Sequence, residues 1–540
     1  MLIRAARRCG RRPPVAPCGL RRALSVQPVA QHDNAGGEAV DEEDVEVVSY
    51  ARSKAHRTVD KSKLHFDRVK RFDMSRPWPG IPPLKPSNEL PRPETIVSTL
   101  SSGLRVASQE TYGQLCTFGV LVNAGSRHET EANQGVSHLL ELMAFKSTPR
   151  RAQQQASTNN IIELEAMGAT VTAHSSREQM LFCVDVLRDY LEPAMDLLSD
   201  VVLTPEMTEE EVDDQKVVMQ YQMEDMLPDT VMKEALQGAA YPGQALGRPH
   251  WCPPESMDAL SADMARQFRT EHYTAPNMVL VGAGVQHDEL MRLGDKYFAP
   301  LASTAGASII TSPASQYGGG EVRVEGVVGA QKEDWTRVCV AFEASDCAPA
   351  FVGGWDHPQF VPTCVLQVLL GGGDSFSAGG PGKGMYSRLY REVLNRHFWV
   401  ESAEAFTSMH SESGLLGIAG AAAPPDAGKL MHVFSNHFSK LALQPVDPVE
   451  LSRAKNMLKC NVLTHLESRL VLFEDIGRQI LSYGYRETPE AICEKIDRVT
   501  ADDIQQIARD ALSKPPSIAC IGADISSVPD YGQVVHWFQS

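Results

Sequence analysis

Pro254-Glu255-Ser-Met-Asp258-Ala-Leu-Ser261-Ala-Asp-Met264 leads through a polar stretch to Met278-Val-Leu-Val-Gly282, and Thr488-Pro-Glu490 leads through Asp497-Arg-Val-Thr500-Ala-Asp-Asp503 to Ser517-Ile-Ala-Cys-Ile-Gly522. The two stretches share one plan. A hydroxyl at the helix N-cap accepts a hydrogen bond from an otherwise unpaired backbone N–H, so Ser261 and Thr500 mark helix starts. Each is followed by a helical pattern and an apolar strand, and they stand 21 and 22 residues before Gly282 and Gly522. Agreement of cap, helix, strand and closing glycine predicts an internal duplication. We expect two mixed α/β domains, residues 94–300 and 321–540, joined by a Ser/Ala/Gly-rich linker at 301–320.

The beginnings of the two halves agree in order. The first reads as strands at Thr95-Ile-Val-Ser-Thr-Leu100, Leu104-Arg-Val-Ala-Ser108 and Cys116-Thr-Phe-Gly-Val-Leu-Val-Asn123, then a helix from about Asn133. The second reads as strands at Val322-Arg-Val-Glu-Gly326 and Thr336-Arg-Val-Cys-Val-Ala-Phe342, then a helix around Phe360 to Leu370. A cleft between the halves is the default binding site, because domain junctions supply concavity.

Directly after that second helix comes Gly371-Gly372-Gly373-Asp374-Ser375-Phe376-Ser377-Ala378-Gly379-Gly380-Pro381-Gly382-Lys383-Gly384, which runs into the helical-looking Met385 to Asn395. Seven glycines in fourteen positions are costly in backbone entropy and add no packing, unless the chain must move or lie close to something. A phosphate cradle fails on spelling. It requires a glycine five before Gly382, where Ser377 stands, and a hydroxyl after Lys383, where Gly384 stands. A plain surface connector is the other reading, but the segment lies inside a domain and between an apolar run and an amphipathic one. A ligand-facing loop follows.

At 540 residues the chain exceeds what one core organises, and 43% apolar with 22% charged residues is ordinary for a globular protein. A net charge of −17 disfavours nucleic acid as a general partner and suits basic ligands, although it also serves solubility. No apolar run approaches the ~20 residues that span a bilayer. The eleven cysteines form no Cys-x-x-Cys pair and fit free thiols in a reducing compartment.

The leader, residues 1–32, holds seven arginines and no acid before Asp33. Such a leader without a long apolar core reads as a mitochondrial presequence, with a cut near Leu24/Ser25 in Arg22-Ala-Leu-Ser25. A basic arm for nucleic acid is the other reading. Residues 33–93 form a charged, Pro-rich extension with seven prolines between Pro77 and Pro93, which excludes a regular helix or central strand. Extended chain against the protein's own surface or a neighbouring subunit is expected there, with disorder as the other reading.

On the first helix, Val136-Ser-His138-Leu-Leu-Glu141-Leu142 places His138 and Glu141 on one face. An inverted zinc-peptidase motif requires His-x-x-Glu-His: two imidazoles bind the metal and the glutamate activates water. Position 142 is leucine, so one ligand is an alkyl chain and Glu141 has no metal-bound water to deprotonate.

These residues carry a family resemblance over about 94–530. The chain resembles the pitrilysin-type metallopeptidases and, within them, the alpha-subunit family of the mitochondrial processing peptidase. The likeness is closest in Gly371 through Tyr390 and extends to Trp399-Val400, Ala405-Phe406, Gly414-Leu-Leu-Gly-Ile418, Ala240-Tyr-Pro-Gly243 and Cys252-Pro-Pro-Glu255. It implies an α+β fold of two pitrilysin-like domains, mainly antiparallel sheets flanked by helices, enclosing a cleft. It also implies a heterodimer in which a beta subunit carries zinc, while the glycine-rich loop Gly371–Gly384 captures the basic presequences of imported proteins.

By the same resemblance, the position of a distal metal-binding glutamate is Gln222, so no metal and no catalysis are expected of His138, Glu141, Leu142 and Gln222 in this chain. His410 departs from the family, which usually has tyrosine there, and an ordinary packed histidine is the alternative to a functional one. The acidic run Glu209, Glu210, Glu211, Asp213, Asp214 offers carboxylates to presequence arginines, or simply a solvated helix face.

The same resemblance raises a rival. Related chains serve as structural core subunits of respiratory complex III, the cytochrome bc1 complex, on the matrix side of the inner membrane. In some lineages both roles occur together.

Overall fold

The computed structural model describes residues 93–154, 160–304, 306–326, 335–344, 354–374 and 384–539. The expected leader at 1–32 and all but Pro93 of the extension lie outside these residues, as do Ser375–Lys383 of the glycine segment.

Two six-stranded sheets organise the described chain. The first contains β1 (Ile96–Thr99), β2 (Arg105–Gln109), β3 (Leu115–Val122), β4 (Thr170–Ser175), β5 (Met180–Leu187) and β6 (Met278–Ala283), in the order β1-β2-β6-β3-β5-β4. The second contains β7 (Gly320–Glu325), β8 (Thr336–Glu343), β9 (Gly372–Asp374), β10 (Val400–Met409), β11 (Gly414–Ala422) and β12 (Ser517–Gly522), in the order β7-β12-β8-β11-β10-β9. Only β2–β6 and β7–β12 pair in parallel; every other neighbouring pair is antiparallel.

Set side by side, β2-β6-β3-β5-β4 and β7-β12-β8-β11-β10 are the same five strands with the same directions. The duplication seen at Gly282 and Gly522 therefore runs through both sheets. The two caps form as expected: Ser261 Oγ accepts from the Met264 N–H, and Thr500 Oγ1 from the Asp503 N–H, with the Asp503 carboxylate accepting from the Thr500 N–H in return.

Two strands break the repeat. β1 adds to β2 in the first sheet, and β9 adds to β10 in the second. The glycine segment, expected to be loop throughout, thus opens as an edge strand. Gly371 and Gly372 make it fit, with φ of 55° and 104°. A Cβ on Gly372 would stand 1.9 Å from the Ala403 carbonyl oxygen, so the two backbones come together only without a side chain there. The chain beyond the segment also differs from expectation. Met385 to Asn395 is not one amphipathic α-helix; it ends in a π turn at Tyr390–Leu394, whose Val393 and Leu394 are buried.

The halves exchange a helix. Pro228–Ala240, from the first half of the sequence, lays Met232, Leu236 and Ala240 on Cys339, Ala341, Ala419, Ala519 and Ile521 of the second sheet. Its counterpart Arg469–Tyr483 lays Leu472, Phe473, Ile476 and Ile480 on Ala107, Leu121, Leu181, Val279 and Val281 of the first.

The apolar positions of Arg469–Tyr483 recur at one-turn spacing and make a single stripe, which Gly484 closes in the left-handed conformation. Gly477 lets this helix approach, since a Cβ would meet Leu121 Cδ1 at 2.3 Å. Each fully buried Phe or Ile side chain contributes roughly 1.5–3 kcal/mol, so the exchange ties the halves firmly. Polar contacts fix its ends: Arg105 Nη1 donates to the Ile480 carbonyl (2.6 Å), Arg469 Nη2 pairs with Asp185 (2.9 Å), and Arg337 Nε donates to Asp229 (2.7 Å).

Candidate functional site

The helix Val136–Leu142 begins at Gly135, whose φ of 91° and contact with Cys252 leave no room for a side chain. The carboxylate of Glu129 accepts from the Gly135 and Ser137 N–H groups (2.8 Å each) and from the Ser137 hydroxyl. Burial raises the Glu129 pKa, and its hydrogen bonds to the otherwise unpaired first N–H groups hold this short helix in place and fix the direction of His138.

His138 is fully buried. Its Nδ1 accepts from the Cys252 N–H (3.3 Å), so the proton sits on Nε2, which donates to Gln222 Oε1 (2.9 Å). Burial lowers its pKa and keeps it neutral. Trp251 stacks edge-on against it, with ring centroids 4.9 Å apart. Helix Glu209–Glu224 supplies Gln222, so the structure brings together His138 and Gln222, 84 positions apart in sequence. Both imidazole nitrogens are engaged. Leu142 packs on the hydrophobic core of the first half.

Glu141 points elsewhere. It accepts from the Ser175 N–H (2.6 Å) and hydroxyl (2.7 Å), and His174 Nδ1 lies 3.8 Å from the same oxygen. Burial alone would raise its pKa, but the nearby His174 ring and the Ser175 hydrogen bonds outweigh that and hold it below the usual carboxylate range. His250 lies close by, and burial pushes its pKa down to about 4. Neither His174 nor His250 stands at a motif spacing from Glu141, and nothing local in the sequence marks them. Only the pairing of β4 with β5 and the return of the chain at 250 bring them near.

A cleft of about 480 Å³ opens here, lined by His174 to Gln179 and His250 from the first half and by Met409 to Ser411 and Asp475 to Tyr483 segments from the second. Its charges are already matched. Glu178 meets Arg127, Asp475 meets Arg486 (2.9 Å), and Arg177 meets Glu234 (2.7 Å).

Arg127, only 5% exposed, crosses between halves: Nη1 donates to Ser411 Oγ (2.9 Å) and to Glu178, and Nη2 to Glu412 (2.7 Å). Burial would raise the Glu178 pKa, but the Arg127 charge, the neighbouring His410 ring and the Ser411 hydrogen bonds hold it low. His410 is a packed residue of this cluster. Its Nε2 accepts from Gln237 Nε2 (2.9 Å), and burial pushes its pKa down to about 4.

The acidic run begins the helix Glu209–Glu224, where Glu211 completes a capping box with Thr208 and accepts from the Ser147 N–H (3.1 Å). Acids in a first helical turn stabilise it, which accounts for the run without a ligand. Of the glycine segment, Gly371 to Asp374 and Gly384 are described. Gly372 and Gly373 pair with Glu404 and Ala403 of β10, the strand whose end at Met409 borders the cleft.

Comparison with known proteins places this geometry. The family model described as Insulinase (Peptidase family M16) matches residues 105–254, and that described as Peptidase M16 inactive domain matches 259–458. The chain is 34% identical to the mitochondrial-processing peptidase subunit alpha of Bos taurus, covering 86% of this chain and 91% of the relative. The human subunit alpha is also 34% identical, covering 88% and 93%, and the probable subunit alpha-1 of Arabidopsis thaliana is 36% identical, covering 87% and 89%.

Among solved structures, a chain of complex III2 from Candida albicans with Inz-5 bound shares the fold, with a TM-score of 0.66 at 18% identity, covering 82% of this chain and 99% of that one. With the duplicated sheets, the altered His138 to Leu142 motif and full-length relatives in agreement, the chain belongs to the M16 peptidase family, among the mitochondrial-processing peptidase alpha subunits.

Proposed function

We propose that this chain is the non-catalytic, substrate-recognition subunit of a mitochondrial processing peptidase, holding basic presequences while a zinc-bearing beta subunit cuts them. One observation carries the reading: where the family motif requires metal ligands, Leu142 packs against the core and His138 donates to the neutral amide of Gln222. A catalytic zinc needs about three protein ligands at roughly 2.0–2.2 Å, and these side chains leave none free. The chain is therefore expected to do no proteolysis alone, and the family's zinc to sit in the partner.

Gly371 through Gly384 are the proposed presequence-binding residues. Supporting this, β9 is an addition to the duplicated plan that has no counterpart beside β4 among the described residues, and its glycines are demanded by the approach to β10. The proposed setting is the mitochondrion, in the matrix or on the matrix side of the inner membrane. No helix among the described residues is long and apolar enough to cross a membrane. The rival, a purely structural core subunit of complex III, draws on a likeness of fold at 18% identity and leaves the glycine segment without a use.

Deleting residues 375–383 while keeping β9 tests the reading. Presequence cleavage by the heterodimer should be lost with the alpha–beta complex still assembling; unchanged cleavage would overturn it.

A further inference from the structure

Beside the altered motif, Glu141, His174 and His250 converge so that one ligand atom from each lies within 4.8 Å of the other two. We propose that these three side chains form a divalent-cation site of the zinc class, opening on the cleft between the halves and separate from the position of the family's catalytic metal.

The donor set is two imidazoles and one carboxylate, which suits a borderline ion such as Zn²⁺ and leaves a coordination position open. The site is built. Glu141 is oriented by the Ser175 N–H and hydroxyl, the kind of outer hydrogen bonding that fixes a ligating carboxylate. The backbone of His250 is tied by its N–H to Glu234 (2.8 Å), and its ring rests against Trp251 at 5.4 Å between centroids.

His250 Nδ1 is buried without a hydrogen-bond partner, which an imidazole in a polar site does not sustain cheaply. A ligand at that nitrogen removes the deficit. His174 comes from the edge strand β4, its ring 5.8 Å from that of His250 and half exposed, so it is free to swing inward. Bonds of about 2.1 Å bring tetrahedral ligand atoms to roughly 3.4 Å apart, and the Glu141–His174 pair already stands at 3.8 Å.

Trp251 separates the new site from His138, touching both histidines. The site shares only Glu141 with the family motif. A cation bound here occupies the carboxylate that the family uses to activate water, so the site is one for binding and is compatible with a chain that does not cut.

The experiment uses the untagged full-length chain after chelator treatment, titrated with Co²⁺ and read by its visible d–d absorption, with Zn²⁺ as displacing ion. One equivalent should bind saturably. His174→Ala and His250→Gln should each weaken binding by about tenfold or more, and His138→Gln should leave it unchanged. Because His174 is half exposed, its alanine variant folds even if the His250 variant does not. Absence of saturable absorption, or equal binding by His174→Ala and the parent, would overturn the proposal.

Discussion

Replacing Arg127 by methionine tests how the two halves are clamped at the cleft. Arg127 is 5% exposed and faces two carboxylates, Glu178 at 19% and Glu412 at 10%. Both carboxylates have other partners: Ser411 donates its N–H (3.0 Å) and hydroxyl (2.6 Å) to Glu178, and the Ser315 N–H donates to Glu412 (2.7 Å). What they lose in Arg127→Met is the cation the pair shares. Removing one partner of a buried ion pair costs about 3–5 kcal/mol, because the other charge stays buried and unpaired. A surface pair would cost at most about 1 kcal/mol.

Urea unfolding followed by near-UV circular dichroism and by tryptophan fluorescence reads the loss, as an early shift of the transition that separates the halves. The triple variant Arg127→Met, Glu178→Gln, Glu412→Gln removes the stranded charges and should recover more than half of it. If Arg127→Met falls within about 1 kcal/mol of the parent, or if the triple variant recovers nothing, the buried-clamp reasoning is wrong.

Gly372→Ala should part β9 from β10, since the left-handed φ costs an alanine about 1–2 kcal/mol before the collision with the Ala403 carbonyl is counted. Fluorescence anisotropy should show presequence-peptide affinity down about tenfold with little change in unfolding midpoint; unaltered affinity would separate the strand from recognition. Gly477→Ala puts a methyl group on Leu121 and should destabilise by about 1–3 kcal/mol in the same urea assay, whereas a neutral result would mean the exchanged helix is loosely seated.

Acid should weaken the fold. Burial lowers His410 and His437 to about 4 and His128 to about 3, so between their folded values and the usual 6.5 the unfolded chain binds more protons. Stability is full above pH 6.5 and falls as pH drops toward 4, at up to ~1.4 kcal/mol per pH unit for each group. His437→Gln, 4% exposed in the parent and remote from the cleft, should flatten the fall in melting temperature between pH 7 and pH 5; an identical slope would contradict the assignment.

Much of the fold was legible because its signals are local. Caps at Ser261 and Thr500, alternating strands and closing glycines each sit within a few residues, and the duplication follows from comparing them. The helix exchange was not legible. Nothing in Arg469–Tyr483 says which sheet its apolar stripe will cover, because a stripe records only that one side is buried.

The site divides similarly. His138, Glu141 and Leu142 share a helix and can be read together, and Gln222 entered through family likeness. Glu141, His174 and His250 come from a helix, a strand and a loop spanning over a hundred positions, a juxtaposition that only the folded backbone creates. Gly371 to Asp374 misled in the other direction. Glycine's low strand propensity argued for loop, while close backbone approach made glycine the one residue able to form that edge.

The most direct test of the central claim is cleavage of a presequence peptide by this chain alone, by a beta subunit alone and by the two together. Cleavage only in the mixture, or greatly enhanced there, is the predicted result. Cleavage by this chain alone, or a mixture no better than the beta subunit, would contradict its role as the non-catalytic recognition subunit.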